Sequence, residues 1–157
     1  MKIIEVASGL RKPVIIRLAD NEDFKVSTKK KYFFTWKSFK GKTTIYKLSV
    51  EGEDEILGVM GLIDVEAEKR IEIKLLASSI ENVGQKKVYD GIAGCLIAFA
   101  CRVAVVKYDA QACVSLIPKT ELVIHYMQKY SMLNGGRQLY LEGKVLNKLL
   151  KEFNNER

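Results

Sequence analysis

Residues 88–101, VYDGIAGCLIAFAC, run from a polar turn straight into a long apolar segment, with Gly91, Ala93 and Gly94 at the join. Glycine inside a helix is less stable than alanine by about 1 kcal/mol, so its use there needs a reason. Two reasons fit. Backbones can pack closely at such a point, or an anion can approach the unpaired N–H groups and positive dipole end of a starting helix. A second stretch with chemical potential is KKKYFFTWKSFKGK, residues 29–42. It interleaves lysines with Tyr32, Phe33, Phe34 and Trp36, the ingredients of a surface on which nucleic-acid bases stack. The same pattern also suits a strand or hairpin with its aromatics inward and its lysines outward. Cys95, Cys101 and Cys113 make an odd count without CxxC or histidine–cysteine spacing, which argues against a disulfide framework or a zinc site and fits a reducing cytoplasm. His125 is the only histidine. No nucleophilic triad or metal cluster is visible, so neither covalent catalysis nor a metal is expected.

Something must position these residues, and 157 residues suffice for one domain, 1–157, with a substantial core. Hydrophobic residues make up 48% and charged residues 29%, as in ordinary globular proteins. Lysine and arginine outnumber aspartate and glutamate by 26 to 19, a net charge of +7 with a pI near 9.2. That surplus favours polyanions or phosphorylated ligands and keeps nucleic acid among the partners. The amino-terminal MKIIEVASGLRKPV has too short an apolar run for a signal peptide. Residues 91–106 are apolar except for Arg102 but fall short of the roughly 20 residues a spanning helix needs, so a buried helix is expected and no membrane partner.

In the first 40 residues VIIRL (14–18) offers a strand, and ADNEDFKV a cap followed by a short helix or turn. From 43 onward the order is clearer. TTIYKLSV (43–50) places Tyr46, Leu48 and Val50 on one strand face, ILGVMGLIDV (56–65) reads as a strand covered on both faces, and IEIKLL (71–76) alternates Ile71, Ile73 and Leu75. Short turns at EGEDE and EAEKR make these three an antiparallel meander. The loop ASSIENVGQKKVYD leads to the buried helix of about 91–105 and then to a strand at 112–117. Strand, helix and strand form a β-α-β unit, right-handed and parallel. Pro118 ends that strand and Thr120 can cap a helix bearing Leu122, Val123, Tyr126, Met127 and Tyr130. After the NGG turn (134–136) comes RQLYL and a last amphipathic helix with Val145, Leu146, Leu149, Leu150 and Phe153 on one face. The expected fold is α/β (α+β), a mixed and mostly antiparallel central sheet with helices on both faces.

This order, with its glycine turn, resembles the GNAT (N-acetyltransferase) superfamily over about residues 43–141. Those proteins place an Arg/Gln-x-x-Gly-x-Gly/Ala loop between the fourth strand and the following helix, where backbone amides bind the pyrophosphate of acetyl-coenzyme A. Val88-Tyr89-Asp90-Gly91-Ile92-Ala93 matches at Gly91 and Ala93, and GIAGCLIAFAC continues like the helix after the motif. Val88 departs from it, and Asp90 is placed to cap the helix and compete for its N–H groups, with Lys86 and Lys87 near enough to offset its charge. The family also follows its fifth strand with an asparagine and, seven residues on, a tyrosine that protonates the departing thiolate. Lys119 and Tyr126 in KTELVIHYMQKYSM hold that spacing.

The resemblance implies a β-α-β cofactor-binding unit and direct acetyl transfer from acetyl-coenzyme A, as co-substrate, to an amine acceptor. It places Val88, Tyr89, Asp90, Gly91, Ile92, Ala93, Gly94 and Lys119 at the cofactor, and Leu76, Ala77 and Ser78 beside the acetyl carbonyl and pantetheine. Tyr126 becomes the general-acid candidate. Glu81, in the loop ENVG, is the base candidate, with Glu72 and His125 as others; each has a plainer reading as solvated charge or, for the histidine, as a residue without catalytic part. Lys29, Lys30, Lys31, Lys37, Lys40 and Lys42 fall where the family builds its acceptor side. Two other readings stay open: a basic, aromatic nucleic-acid binder, and a GNAT-fold interaction module without activity. A homodimer is also open.

Overall fold

The structure, a computed structural model, describes residues 1–20, 23 and 43–155. The strands are β1 (Lys2–Glu5), β2 (Arg11–Leu18), β3 (Thr44–Val50), β4 (Gly58–Val65), β5 (Arg70–Ser78), β6 (Tyr89–Asp90), β7 (Cys113–Leu116), β8 (Leu133–Asn134) and β9 (Leu139–Glu142). The helices are α1 (Ile92–Tyr108), α2 (Val123–Tyr130) and α3 (Gly143–Asn155). All described strands join one sheet in the order β6-β1-β2-β3-β4-β5-β7-β9-β8. Neighbours are antiparallel except β5 and β7, which run parallel on either side of the crossover α1, as the β-α-β reading requires. The meander from 43 to 78 forms as expected, and the strand read at 14–18 is the second half of β2. The short helix or turn read at ADNEDFKV and the basic aromatic stretch 29–42 fall almost wholly outside the described residues, so the lysine cluster and the nucleic-acid surface expected there do too.

Sheet alternation divides the apolar residues between two clusters. Leu48, Val50, Met60, Ile71 and Ile73 pack with α1, whereas Ile45, Ile56 and Val59 form a second cluster, so β4 is covered on both faces. One detail of the alternation differs from expectation. Leu62 faces Ile73 and Gly61 faces Leu75, so Lys74 is an extra residue in a β-bulge. The bulge reverses the phase: Leu75 joins the second cluster, and Leu76 instead follows Ile73 toward the main core.

Helix α1 is buried along most of its circumference, with Cys95, Leu96, Ile97, Ala98, Ala100, Cys101 and Ala104 all solvent-excluded. Its small residues let the sheet and α3 come close, and each large one contributes about 1.5–3 kcal/mol on burial. The helix runs to Tyr108, past the expected end at 105, and stops where Asp109 turns to φ 51°. Leu146, Leu149 and Phe153 of α3 insert into the same core. Thr120 does not cap α2; it opens a 3-10 turn over Thr120–Leu122 without a side-chain capping bond, and α2 starts at Val123.

Candidate active site

The pairing of β5 with β7 runs from Arg70↔Cys113 to Ile73↔Leu116 and stops there. Beyond it β7 ends, Pro118 lacks an N–H with which to extend a ladder, and β5 continues to Ser78. Among the described residues, the edge of 74–78 on that side therefore has no strand partner. A cleft of about 450 Å³ opens between the diverging chains. Of the residues named from the sequence, Leu76, Ala77, Ser78, Ala93, Lys119 and Tyr126 all line it. The remaining wall includes Lys74 and Leu75 of the bulge, Asn82 and Val83 of the following loop, and Ile117, Pro118 and Leu122 beyond β7.

At the start of α1 the small residues serve different ends. Gly91 is the N-cap with φ 98° and ψ 4°, a left-handed conformation that other residues adopt only with strain. The Cys95 N–H donates to the Gly91 carbonyl at 3.0 Å, so the amides of Ile92, Ala93 and Gly94 precede the first i→i−4 donor. Gly94 serves packing. A Cβ there would lie 2.3 Å from Cζ of Phe153, so the ring of α3 occupies its place. Ile92 is buried in the core and can present only its backbone to a ligand.

The residues just before are already engaged. The Val88 N–H donates to the Glu81 carbonyl at 3.2 Å, and the Tyr89 N–H donates to Oδ1 of Asn82 at 2.8 Å. Strand β6 is also held by β1, with Ile4 opposite Asp90 and Glu5 opposite Tyr89. The Asp90 carboxylate pairs with Lys87 at 2.9 Å and lies 4.0 Å from Lys129. The expected offset of its charge by Lys87 is present.

Asn82 had no place in the sequence reading. It is buried, its Nδ2 donates to Oγ of Ser79 at 2.9 Å, and its side chain ties the loop to β6. The signal was an amide residue in the loop before a helix, one position from Glu81, which attracted notice for its charge. Glu81 itself is exposed and does not line the cleft. Glu72 lies 3.1 Å from the Arg70 guanidinium, which also donates to Oγ of Ser115 at 2.7 Å; it belongs to that network and not to the cleft wall.

Tyr126 is half-buried at the cleft, with its ring 5.9 Å from Tyr130. Burial raises its phenol above the ordinary tyrosine value of 10.0, which keeps the proton on the oxygen. The His125 ring packs 5.6 Å from Tyr126 but is exposed and outside the cleft wall. Burial, with the neighbouring Cys113, pushes the Cys101 thiol up to about 12, so it is no nucleophile. Among the described residues no group of three histidine, cysteine, aspartate or glutamate side chains could hold a metal ion, and no helix is long and apolar enough to cross a membrane.

The sequence matches no protein-family model and no curated protein. Solved structures do resemble it. A mutant spermidine/spermine N-acetyltransferase SpeG from Vibrio cholerae superposes with a TM-score of 0.63 at 12% identity, over 86% of this chain and 97% of that one. A putative streptothricin acetyltransferase from Bacillus anthracis, in complex with acetyl coenzyme A, gives 0.58 at 12% identity over 82% and 98%. A Bacillus subtilis acetyltransferase in complex with CoA gives 0.55 at 16% identity, again over 82% and 98%. The chain has the GNAT fold.

Proposed function

We propose that the protein is an acyl-coenzyme A dependent N-acetyltransferase that passes acetyl directly from acetyl-coenzyme A to an amine. One observation carries this reading: the gap between β5 and β7 gathers Leu76, Ala77, Ser78, Ala93, Lys119 and Tyr126 in a single cleft at the start of α1. The fold shared with acetyltransferase structures, two of them with coenzyme A or its acetyl form bound, supports it.

In this arrangement the first-turn amides of Ile92, Ala93 and Gly94 receive the pyrophosphate, aided by the helix dipole. The pantetheine then runs along the unpaired edge of 76–78, where it can complete the ladder that β7 abandons. A backbone N–H on that edge faces the thioester oxygen and stabilises the charge developing there. The amine nitrogen attacks the carbonyl carbon, a C–N bond forms, and the C–S bond breaks. The thiolate takes the phenolic proton of Tyr126, which regains one from solvent. An amine titrating near ~10.4 must shed a proton to react. That proton passes to water, with exposed Glu81 the carboxylate adjoining the cleft residue Asn82 in sequence.

The test is acetyl-coenzyme A binding followed by thiol release in the presence of small amines, peptides and protein amino termini. Binding with acceptor-dependent thiol release supports the reading. Binding without release from any acceptor would mark a GNAT-fold module without activity, and salt-dependent nucleic-acid binding without coenzyme A binding would favour the basic stacking surface.

A further inference from the structure

Resting on the acetyltransferase reading, we propose that Lys74 selects an acceptor whose amine stands close to a carboxylate, so that the substrate class is acidic amino compounds and not polyamines. Lys74 is the extra residue of the β5 bulge, exposed and part of the cleft wall. Among the described residues no carboxylate forms an ion pair with it. The described wall of the cleft holds two lysines, Lys74 and Lys119, and no aspartate or glutamate. A polycation entering this slot would meet like charge and no counter-charge from the described wall, whereas a carboxylate beside the reacting amine would find the Lys74 ammonium without a described ion-pair partner.

Position separates Lys74 from the cofactor's phosphates. These belong at the first turn of α1, beside Ala93. Lys74 adjoins Ile73↔Leu116, the last pair before the strands diverge, and so lies at the opposite end of the unpaired edge. Four residues of extended chain separate it from Ser78, roughly 13 Å at strand spacing. Its neighbour Leu75 turns to the cluster of Ile45, Ile56 and Val59, away from the core that holds α1. A thioester lying along 76–78 would thus have the phosphates at one end and the Lys74 ammonium at the end from which the acceptor comes. Lys74 is the unpaired residue of the bulge and lines the cleft; without the bulge, a regular strand would carry residue 75 in the phase of Ile73.

The experiment measures thiol release from acetyl-coenzyme A by the full chain with free aspartate and glutamate, with short peptides headed by Asp or Glu, with the Asn and Gln counterparts of each, and with spermidine. Coenzyme A is titrated separately into every variant, to show that it is folded and loaded. The expected result is a preference for the carboxylate acceptors of at least tenfold in kcat/KM over their amides, with spermidine poorer still. The free and peptide arms show which source supplies the acid. Lys74→Met should remove the preference, chiefly by raising KM, and Lys74→Arg should keep it. Preference for spermidine, equal use of acids and amides, or discrimination that survives Lys74→Met would each overturn the proposal. Coenzyme A binding with no acetylation of any of these acceptors would overturn it too, while leaving transfer to some other amine standing. Failure to bind coenzyme A would remove the acetyltransferase reading and this proposal with it.

Discussion

At φ 98° Gly91 holds a backbone conformation that a side chain would strain, while Gly94, three residues on, gives its side-chain space to the Phe153 ring. Substituting either would disturb the fold before any ligand was tested, so neither is a clean probe of the proposed anion site. Ala93, which lines the cleft, is the better one. Tyr126 offers a second clean test. Tyr126→Phe keeps the ring and removes the proposed acid, and turnover should fall by roughly 10²–10⁴-fold at little change in coenzyme A affinity. The pH dependence follows from its environment. Burial raises the phenol's pKa, so the acid form persists beyond the ordinary 10.0. In linkage terms the folded state holds this proton more tightly than the unfolded state. The stability it contributes is full below the unfolded value and is lost as pH rises through the folded one. Turnover should accordingly hold through mildly alkaline pH and fall only above the ordinary tyrosine range, and Tyr126→Phe should lack that fall. A pH profile of kcat on both proteins checks it.

At the scale of elements, the contact of α1 with α3 depends on the missing Cβ of residue 94. Gly94→Ala should destabilise the protein by about 1–3 kcal/mol in denaturant unfolding, since an added methyl in a packed core displaces its neighbours. Phe153→Leu removes the clashing ring atoms, so the double variant should lose less than the sum of the two by about 1 kcal/mol. Additive losses would show that the helices do not meet there. Most of these elements could be read from residue types. The meander was visible in alternating apolar residues, α1 in its long apolar run, and the parallel crossover in the order of strand, helix and strand. The bulge was not visible. IEIKLL alternates regularly on paper, and only the register against Gly61 and Leu62 shows that Lys74 is extra. Strand β6, two residues long, carries no periodicity, and its dependence on β1 arises from a contact distant in sequence. The hold of Asn82 on the Tyr89 amide, seven residues away, follows no helical or strand periodicity and is hidden too.

For the whole molecule, the net charge of +7 suits a ligand that brings a pyrophosphate and a further phosphate, and the cleft has no described carboxylate to oppose one. The lining of the candidate cleft was legible where the chain's own order placed it, at a strand end, a helix start and the next helix. It was not legible in the bulge at Lys74 or in the bond from the Tyr89 amide to Asn82. The measurement that bears most directly on the central claim is a calorimetric titration of coenzyme A into the native protein and into Ala93→Asp. A carboxylate in the first turn of a helix favours the helix through its dipole, so the variant should unfold at the same denaturant concentration or a higher one. The same carboxylate would stand where the pyrophosphate must lie. Saturable binding to the native protein, weakened tenfold or more in a fully folded Ala93→Asp, is the predicted result. No binding to the native protein, or equal affinity in the two, would contradict the account.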